Sequence, residues 1–169
     1  MRTVMPDGKI RARGVAMAMQ GSSISNCDVG SVTVKLSDEG TYHITVGCTD
    51  MGTGCDTIIA QFAADVLETP IDNISVYGVD TDISPYDSGS YASSTTYLTG
   101  MAAVKACEQL RERIIALAAV RINKDAPART FDGENVIDES DGAKMSLFDI
   151  ATASMCNNEI SLEVTYSHS

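Results

Sequence analysis

The stretch Tyr42–Leu67, YHITVGCTDMGTGCDTIIAQFAADVL, changes its hydrophobic period at its centre. Tyr42, Ile44 and Val46 alternate with polar residues, the two-residue repeat of a half-buried strand. Ile58, Ile59, Phe62, Ala63, Val66 and Leu67 then recur at helical spacing, and Pro70 ends the pattern. The reading is a strand to Val46 and a helix over 56–67. Between them lies a glycine-rich loop, Gly47-Cys48-Thr49-Asp50-Met51-Gly52-Thr53-Gly54.

On the N-terminal side, Ser31–Leu36 (SVTVKL) alternates in the same way and is rich in Val and Thr. Asp38-Glu39-Gly40 turns it back onto Tyr42–Val46, so the two read as a hairpin. Ile10–Met19 alternates loosely and reads as a further strand. On the C-terminal side, Ile74–Val79 is a strand and Asp80–Ser94 a long polar loop. A second helix follows over 95–120, with an apolar stripe of Leu98, Met101, Val104, Cys107, Leu110, Ile114, Leu117 and Ala118. Its small residues Gly100, Ala102, Ala103 and Ala106 predict close packing on one face. Asp125–Ala128 breaks that helix. Thr130–Asp132 and Asn135–Ile137 flank a turn, Met145-Ser146-Leu147 leads into a short helix over 148–155, and Ser161–Tyr166 is a last strand. This order predicts an α+β fold. Its two layers have the helices packed on one face of a mixed sheet, in a single domain over residues 1–169.

Composition bounds the function. Apolar residues are 44% and charged residues 21% of 169, close to globular averages, and the formal net charge is −11. Such an acidic chain lacks the basic footprint of a nucleic-acid binder or an anionic-membrane binder. No apolar run is long enough to span a bilayer. Met1–Arg13 has no apolar signal region, so the expectation is a cytoplasmic protein whose five cysteines are free thiols. They show no CxxC pair, and His43 and His168 have no motif around them.

Three loops could carry chemistry. In Gly47–Gly54, glycines let a backbone approach a ligand and open N–H groups at the helix start attract anions; an ordinary structural turn reads the same way. Asp80, Asp82 and Asp87 could ligate a hard cation, but their setting before Pro85 and Gly89 favours turn chemistry. Gly89–Thr96 offers hydroxyls at a helix N-terminus, either a cradle for phosphate or a polar cofactor, or simple capping. The first and third loops would face the same sheet edge, the usual ligand position in such architectures. From residues alone this is a small-molecule or anion cradle with no visible catalytic set.

The two loops also carry a resemblance. Cys48–Thr57 (CTDMGTGCDT), Asp80-Thr81 through Pro85, Gly89–Ser94 (GSYASS) and Gly100 occur in that order. Over residues 9–120 the chain resembles the molybdenum-cofactor-binding subunit of the xanthine dehydrogenase, aldehyde oxidase and carbon monoxide dehydrogenase family. It looks most like the bacterial xanthine/hypoxanthine branch. The resemblance implies an oxidoreductase of purine or aldehyde-like substrates, which hydroxylates a carbon beside a ring nitrogen or carbonyl. It implies a molybdopterin held by Met51, Gly52, Thr53, Gly54, Ser90, Ala92, Ser93 and Thr95, with the backbone of Ala92 lying against the metal. The cytosine dinucleotide is one form the pterin takes in this family. Thr53 stands where the family usually has Gln, and Ser94 where many members have Arg. Family subunits are several times longer. Their catalytic Glu lies downstream of the matched region, and neither Glu159 nor Glu163 matches it. The chain is therefore expected to be an excised domain, inactive alone, with no catalytic residue of its own. Its expected partners are the rest of its own subunit and iron–sulfur and FAD-bearing subunits or domains. The alternative is a non-enzymatic pterin- or anion-binding or scaffold module.

Overall fold

The computed structural model describes residues 2–19, 21, 24, 26–122, 129–155 and 161–169. The expected helix break at 125–128, Glu159 and Cys156 lie outside the described residues. The period change at Gly47 falls where the structure changes. Strand β4 (Tyr42–Val46) ends there and helix α1 (Cys55–Leu67) begins after the glycine-rich loop. Helix α1 carries the chain back so that β5 (Ile74–Gly78) lies parallel to β4, with Ile44 opposite Val76. Strand β3 (Gly30–Leu36) pairs antiparallel with the other side of β4, as the Gly40 hairpin requires. The last strand, β9 (Glu163–His168), pairs antiparallel with β3, giving the mixed order β5-β4-β3-β9.

One face of this sheet is dry. Val32, Val34, Tyr42, Ile44 and Val46 point into it and are fully buried, while Lys35 and His43 stay outside. Each such aliphatic side chain contributes about 1.5–3 kcal/mol by leaving water. Helix α1 and the long helix α2 (Thr95–Ile122) cover that face. The small-residue side of α2 lies inward: Ala102, Ala103 and Ala106 have no exposed surface. At Gly100 the helices approach so closely that a Cβ would stand 2.7 Å from the Phe62 ring. Met101 and Val104, read as part of the apolar stripe, are only half-buried, because the small residues take the inner face instead.

The fold is α+β, with helices on one face of a mixed sheet, as expected. It carries two additions. Arg2–Val4 (β1) and Ile10–Ala12 (β2) form an exposed hairpin, and the expected strand to Met19 stops at Ala12 because, among the described residues, no strand pairs with the segment beyond it. Strands β6 (Arg129–Phe131), β7 (Asn135–Asp138) and β8 (Lys144–Ser146) form a small antiparallel sheet followed by α3 (Leu147–Met155). Arg111 of α2 fastens this sheet. It pairs with Glu68 at 2.6 Å and lies over the Phe131 ring. No described helix is long and apolar enough to cross a membrane.

Candidate functional site

Because β4 and β5 are parallel, the loops that leave them emerge at one sheet edge, and β3 begins at that same edge. The loop after β4 is organised by Asp50. Its Oδ1 accepts the backbone N–H groups of Gly52, Thr53 and Gly54 at 2.8, 2.9 and 3.1 Å. These hydrogen bonds hold the Asp50 carboxyl below its ordinary range, the bond from Gly52 contributing most. The loop closes this tightly because Gly52 and Gly54 adopt positive φ, +100° and +76°. Three N–H groups of the loop, just ahead of the first turn of α1, are therefore already occupied by the loop's own carboxylate. Beyond the two glycines a Cβ would meet nothing within 4 Å, so the approach to their backbone is open.

The loop before α2 is held differently. Asp87 accepts from Gly89 N–H at 2.8 Å and from the Thr99 hydroxyl at 3.1 Å. Asp80 accepts the N–H of Asp82, so the aspartates between β5 and α2 include two engaged in turn and packing bonds. The Ser90 hydroxyl donates to the Thr49 carbonyl at 2.5 Å and thereby joins the two loops. Tyr91 is fixed at three points. Its N–H donates to Gly89 O, its carbonyl accepts from Ser94 N–H and Oγ, and its hydroxyl donates to Asp28. The bond to Asp28 raises the Tyr91 phenol above its ordinary value. Between Tyr91 and Ser94, Ala92 and Ser93 take left-handed φ of +54° and +56°. Two such non-glycine residues in succession cost about 1–2 kcal/mol each, a strain of the kind stored at functional positions.

Together the loops enclose a cleft of about 480 Å³. Six of the residues read from the sequence line it: Met51, Thr53, Ser90, Ala92, Ser93 and Thr95. Gly52 and Gly54 flank Thr53 in the first loop. Two hydroxyls of the second loop are already engaged within the protein. The Ser90 hydroxyl is committed to Thr49, and the buried Ser94 hydroxyl to Tyr91. Cys55, Ile58, Tyr91 and Thr96 complete the wall. Sequence reading assigned Ile58 to the core and passed over Tyr91 and Asp28. Nothing local marks Asp28, which lies 63 residues from Tyr91. The thiols nearby are inert. Burial pushes Cys48 up to about 12 and raises Cys55, so neither supplies a thiolate at neutral pH. No Lys or Arg occurs between Lys35 and Lys105, the span that builds the cleft. Among the described residues no cluster of His, Cys, Asp and Glu could hold a metal ion.

A sequence profile described as the molybdopterin cofactor-binding domain matches residues 2–169, nearly the whole chain. The chain belongs to that family. Among curated relatives of this molybdopterin cofactor-binding domain is the "Probable hypoxanthine oxidase XdhD" of Escherichia coli K12. It is 44% identical over 103 residues, covering 61% of this chain and 11% of that protein. The xanthine dehydrogenase molybdenum-binding subunit of Escherichia coli O157:H7 is 30% identical over 151 residues, covering 85% of this chain and 20% of that protein. The domain thus spans about a tenth to a fifth of these relatives' length. Among solved structures, CO dehydrogenase from Oligotropha carboxidovorans superposes with a TM-score of 0.71 at 23% identity. It covers 82% of this chain and 18% of that one, and it establishes the shared fold.

Proposed function

We propose that the cleft between the Thr49–Gly54 and Gly89–Thr95 loops holds part of a molybdenum cofactor. In this reading the chain is a piece of the molybdopterin-binding subunit of a cytoplasmic hydroxylase of the xanthine/hypoxanthine type. The observation that carries it is convergence. Residues of two loops 37 or more positions apart in sequence (Thr53 to Ser90), named from a family resemblance, share one cleft at the sheet edge. The lining fits the heterocyclic part of such a cofactor. Thr53, Ser93 and Thr95 present hydroxyls that can donate or accept, the wall carries apolar surface from Met51 and Ile58, and the Gly52 and Gly54 backbone is open to approach. When bound, the cofactor supplies two-electron oxidation of the kind that hydroxylates a carbon beside a ring nitrogen or carbonyl.

The chain's own residues orient rather than react. Ala92 keeps a small, buried side chain in the cleft wall, where its backbone would lie against the cofactor. Thr53, shorter than the Gln usual there, would not reach as far toward the cofactor as that residue. Asp50, already anionic and anchored, discourages a phosphate from the first loop. With no Lys or Arg in this span, the charge of a pterin phosphate or of a cytosine dinucleotide is met by groups outside it. The same holds for the proton-transfer group, for iron–sulfur and flavin groups, and for the pocket that selects a purine or an aldehyde-like substrate.

The test isolates the native parent by an antibody to this chain. It measures polypeptide mass, molybdenum and pterin fluorescence on one sample. The reading expects a mass several times larger than this chain and near-stoichiometric molybdenum, lost in a Thr95→Phe parent whose cleft is filled. A native mass near that of this chain, 17.9 kDa, without metal overturns it in favour of a binding or scaffold module.

A further inference from the structure

We infer that Asp28 is a positioning residue for the cleft: by holding the Tyr91 hydroxyl it fixes the left-handed Ala92–Ser93 step that forms the cleft wall. The inference rests on the cofactor reading above for its purpose and on the geometry for its mechanism. Asp28 is 2% exposed, a rare setting for a carboxylate outside an ion pair. Both oxygens are used. Oδ2 accepts the Ile24 N–H at 2.8 Å and Oδ1 accepts the Tyr91 hydroxyl. The acid thus ties the turn before β3 to the loop before α2.

Tyr91 lies immediately before the strained pair. Its carbonyl accepts both the N–H (3.1 Å) and the Oγ (2.8 Å) of Ser94, immediately after that pair. The two residues between are consequently spanned by a closed bridge. That bridge is anchored to β3's approach at Asp28 and continued into α2 through Leu98 N–H on Ser94 O at 2.7 Å. A left-handed alanine and serine relax to ordinary backbone unless their neighbours prevent it. Here Ser94 is held from the helix side, and on the other the tyrosine hydroxyl adds a long-range restraint to the local bond from Tyr91 N–H to Gly89 O. Tyr91 also forms part of the wall, so a loosened side chain would both release the step and open the cleft.

The experiment is backbone amide exchange, followed by NMR on this chain, with Tyr91→Phe, Asp28→Ala and the double variant. Tyr91→Phe keeps the ring and removes only the hydroxyl. The expected result is about tenfold faster exchange at Tyr91 and Ser94, the effect of one lost charge-assisted hydrogen bond, with Leu110 and Ile114 of α2 unchanged. Asp28→Ala also releases the Ile24 N–H, so it should accelerate exchange at Tyr91 and Ser94 at least as much, and the double variant no more than Asp28→Ala, because the two variants share the Asp28–Tyr91 bond. Parent rates at Tyr91 and Ser94 in Tyr91→Phe overturn the inference, and so does full additivity in the double variant. In the parent polypeptide Tyr91→Phe should retain less molybdenum, beyond the small melting-temperature loss that the missing hydrogen bond itself causes. A loosened loop with undiminished molybdenum also overturns it. A parent of unaltered sequence that never contains molybdenum instead strikes the cofactor reading, and leaves the exchange results to stand alone.

Discussion

The two loops of the cleft solve the same problem by opposite means. Each must leave a strand end, turn sharply and deliver the chain to a helix. The Thr49–Gly54 loop does this with glycine and with its own carboxylate: Gly52 and Gly54 take positive φ without penalty, and Asp50 gathers three N–H groups. The Gly89–Ser94 loop places Ala92 and Ser93 in the left-handed region and restrains them through a distant partner, Asp28, beside the local bonds of Asp87 and Ser94. The first loop is locally satisfied and cheap. The second is strained and depends on tertiary contacts. The difference teaches where each will yield: the first to changes within it, the second to changes far away in sequence.

The largest effect should come where the segments leading into the two loops meet. A Cβ on Gly47 would stand 2.5 Å from both the Pro85 carbonyl oxygen and the Asp87 Cβ. Neither atom belongs to a flexible side-chain end. Gly47→Val should therefore destabilise the fold by about 2–3 kcal/mol, a melting-temperature drop of roughly 5–10 °C for a chain of this size. A melting curve that matches the parent would show that the loops do not share this contact.

Next in size is the loss of the carboxylate that organises the first loop. Asp50 has a lowered pKa in the folded state, so its contribution is present above the ordinary carboxylate value of 3.8 and is lost as pH falls through the folded value. The amide resonances of Gly52, Thr53 and Gly54 should hold still from pH 7 to about 5 and then shift together below 3.8. Asp50→Asn should remove that step and leave the Gly89–Ser94 amides in place. Movement of both loops together would erase the contrast between them.

A smaller effect tests the joint. Ser90→Ala deletes the 2.5 Å bond to Thr49 O, worth about 1 kcal/mol. The expected outcome is a lower melting temperature by roughly 2–4 °C and altered amide shifts in both loops. Changes confined to the second loop would mean that the bond does not couple them.

How much of this was legible follows from how local each feature is. The period change around Gly47, the Gly40 hairpin and the small face of α2 were readable, because spacing within one segment decides them. The three-residue strands β1 and β8 were not, since so short a run shows no period and its pairing is set by a partner. Ile10–Met19 alternates yet only its first three residues are strand, because alternation without a neighbouring strand secures no ladder. Within the cleft, Asp50's turn inward was open to reading: an Asp two to four residues before backbone amides commonly captures them. Asp28 was not, because its partner lies 63 residues away and no spacing rule connects them.

The smallest effect separates strain from burial inside the second loop. Ser93 is exposed, so Ser93→Gly removes its left-handed penalty and costs little beyond the greater freedom of glycine in the unfolded chain. The penalty of about 1–2 kcal/mol, less about 0.5–1 for glycine entropy, leaves a net gain near 0.5 kcal/mol. Ala92 carries the same backbone strain but is 3% exposed. Ala92→Gly gains the same relief and loses a buried methyl worth about 0.8 kcal/mol, so it should be neutral or slightly destabilising. Denaturant titration of the two variants side by side should place Ser93→Gly above the parent and Ala92→Gly at or below it. Equal gains would mean that the Ala92 methyl packs against nothing and that strain alone shapes this loop. Equal losses would mean that the left-handed step is relaxed in solution, and the second loop would then be as cheap as the first.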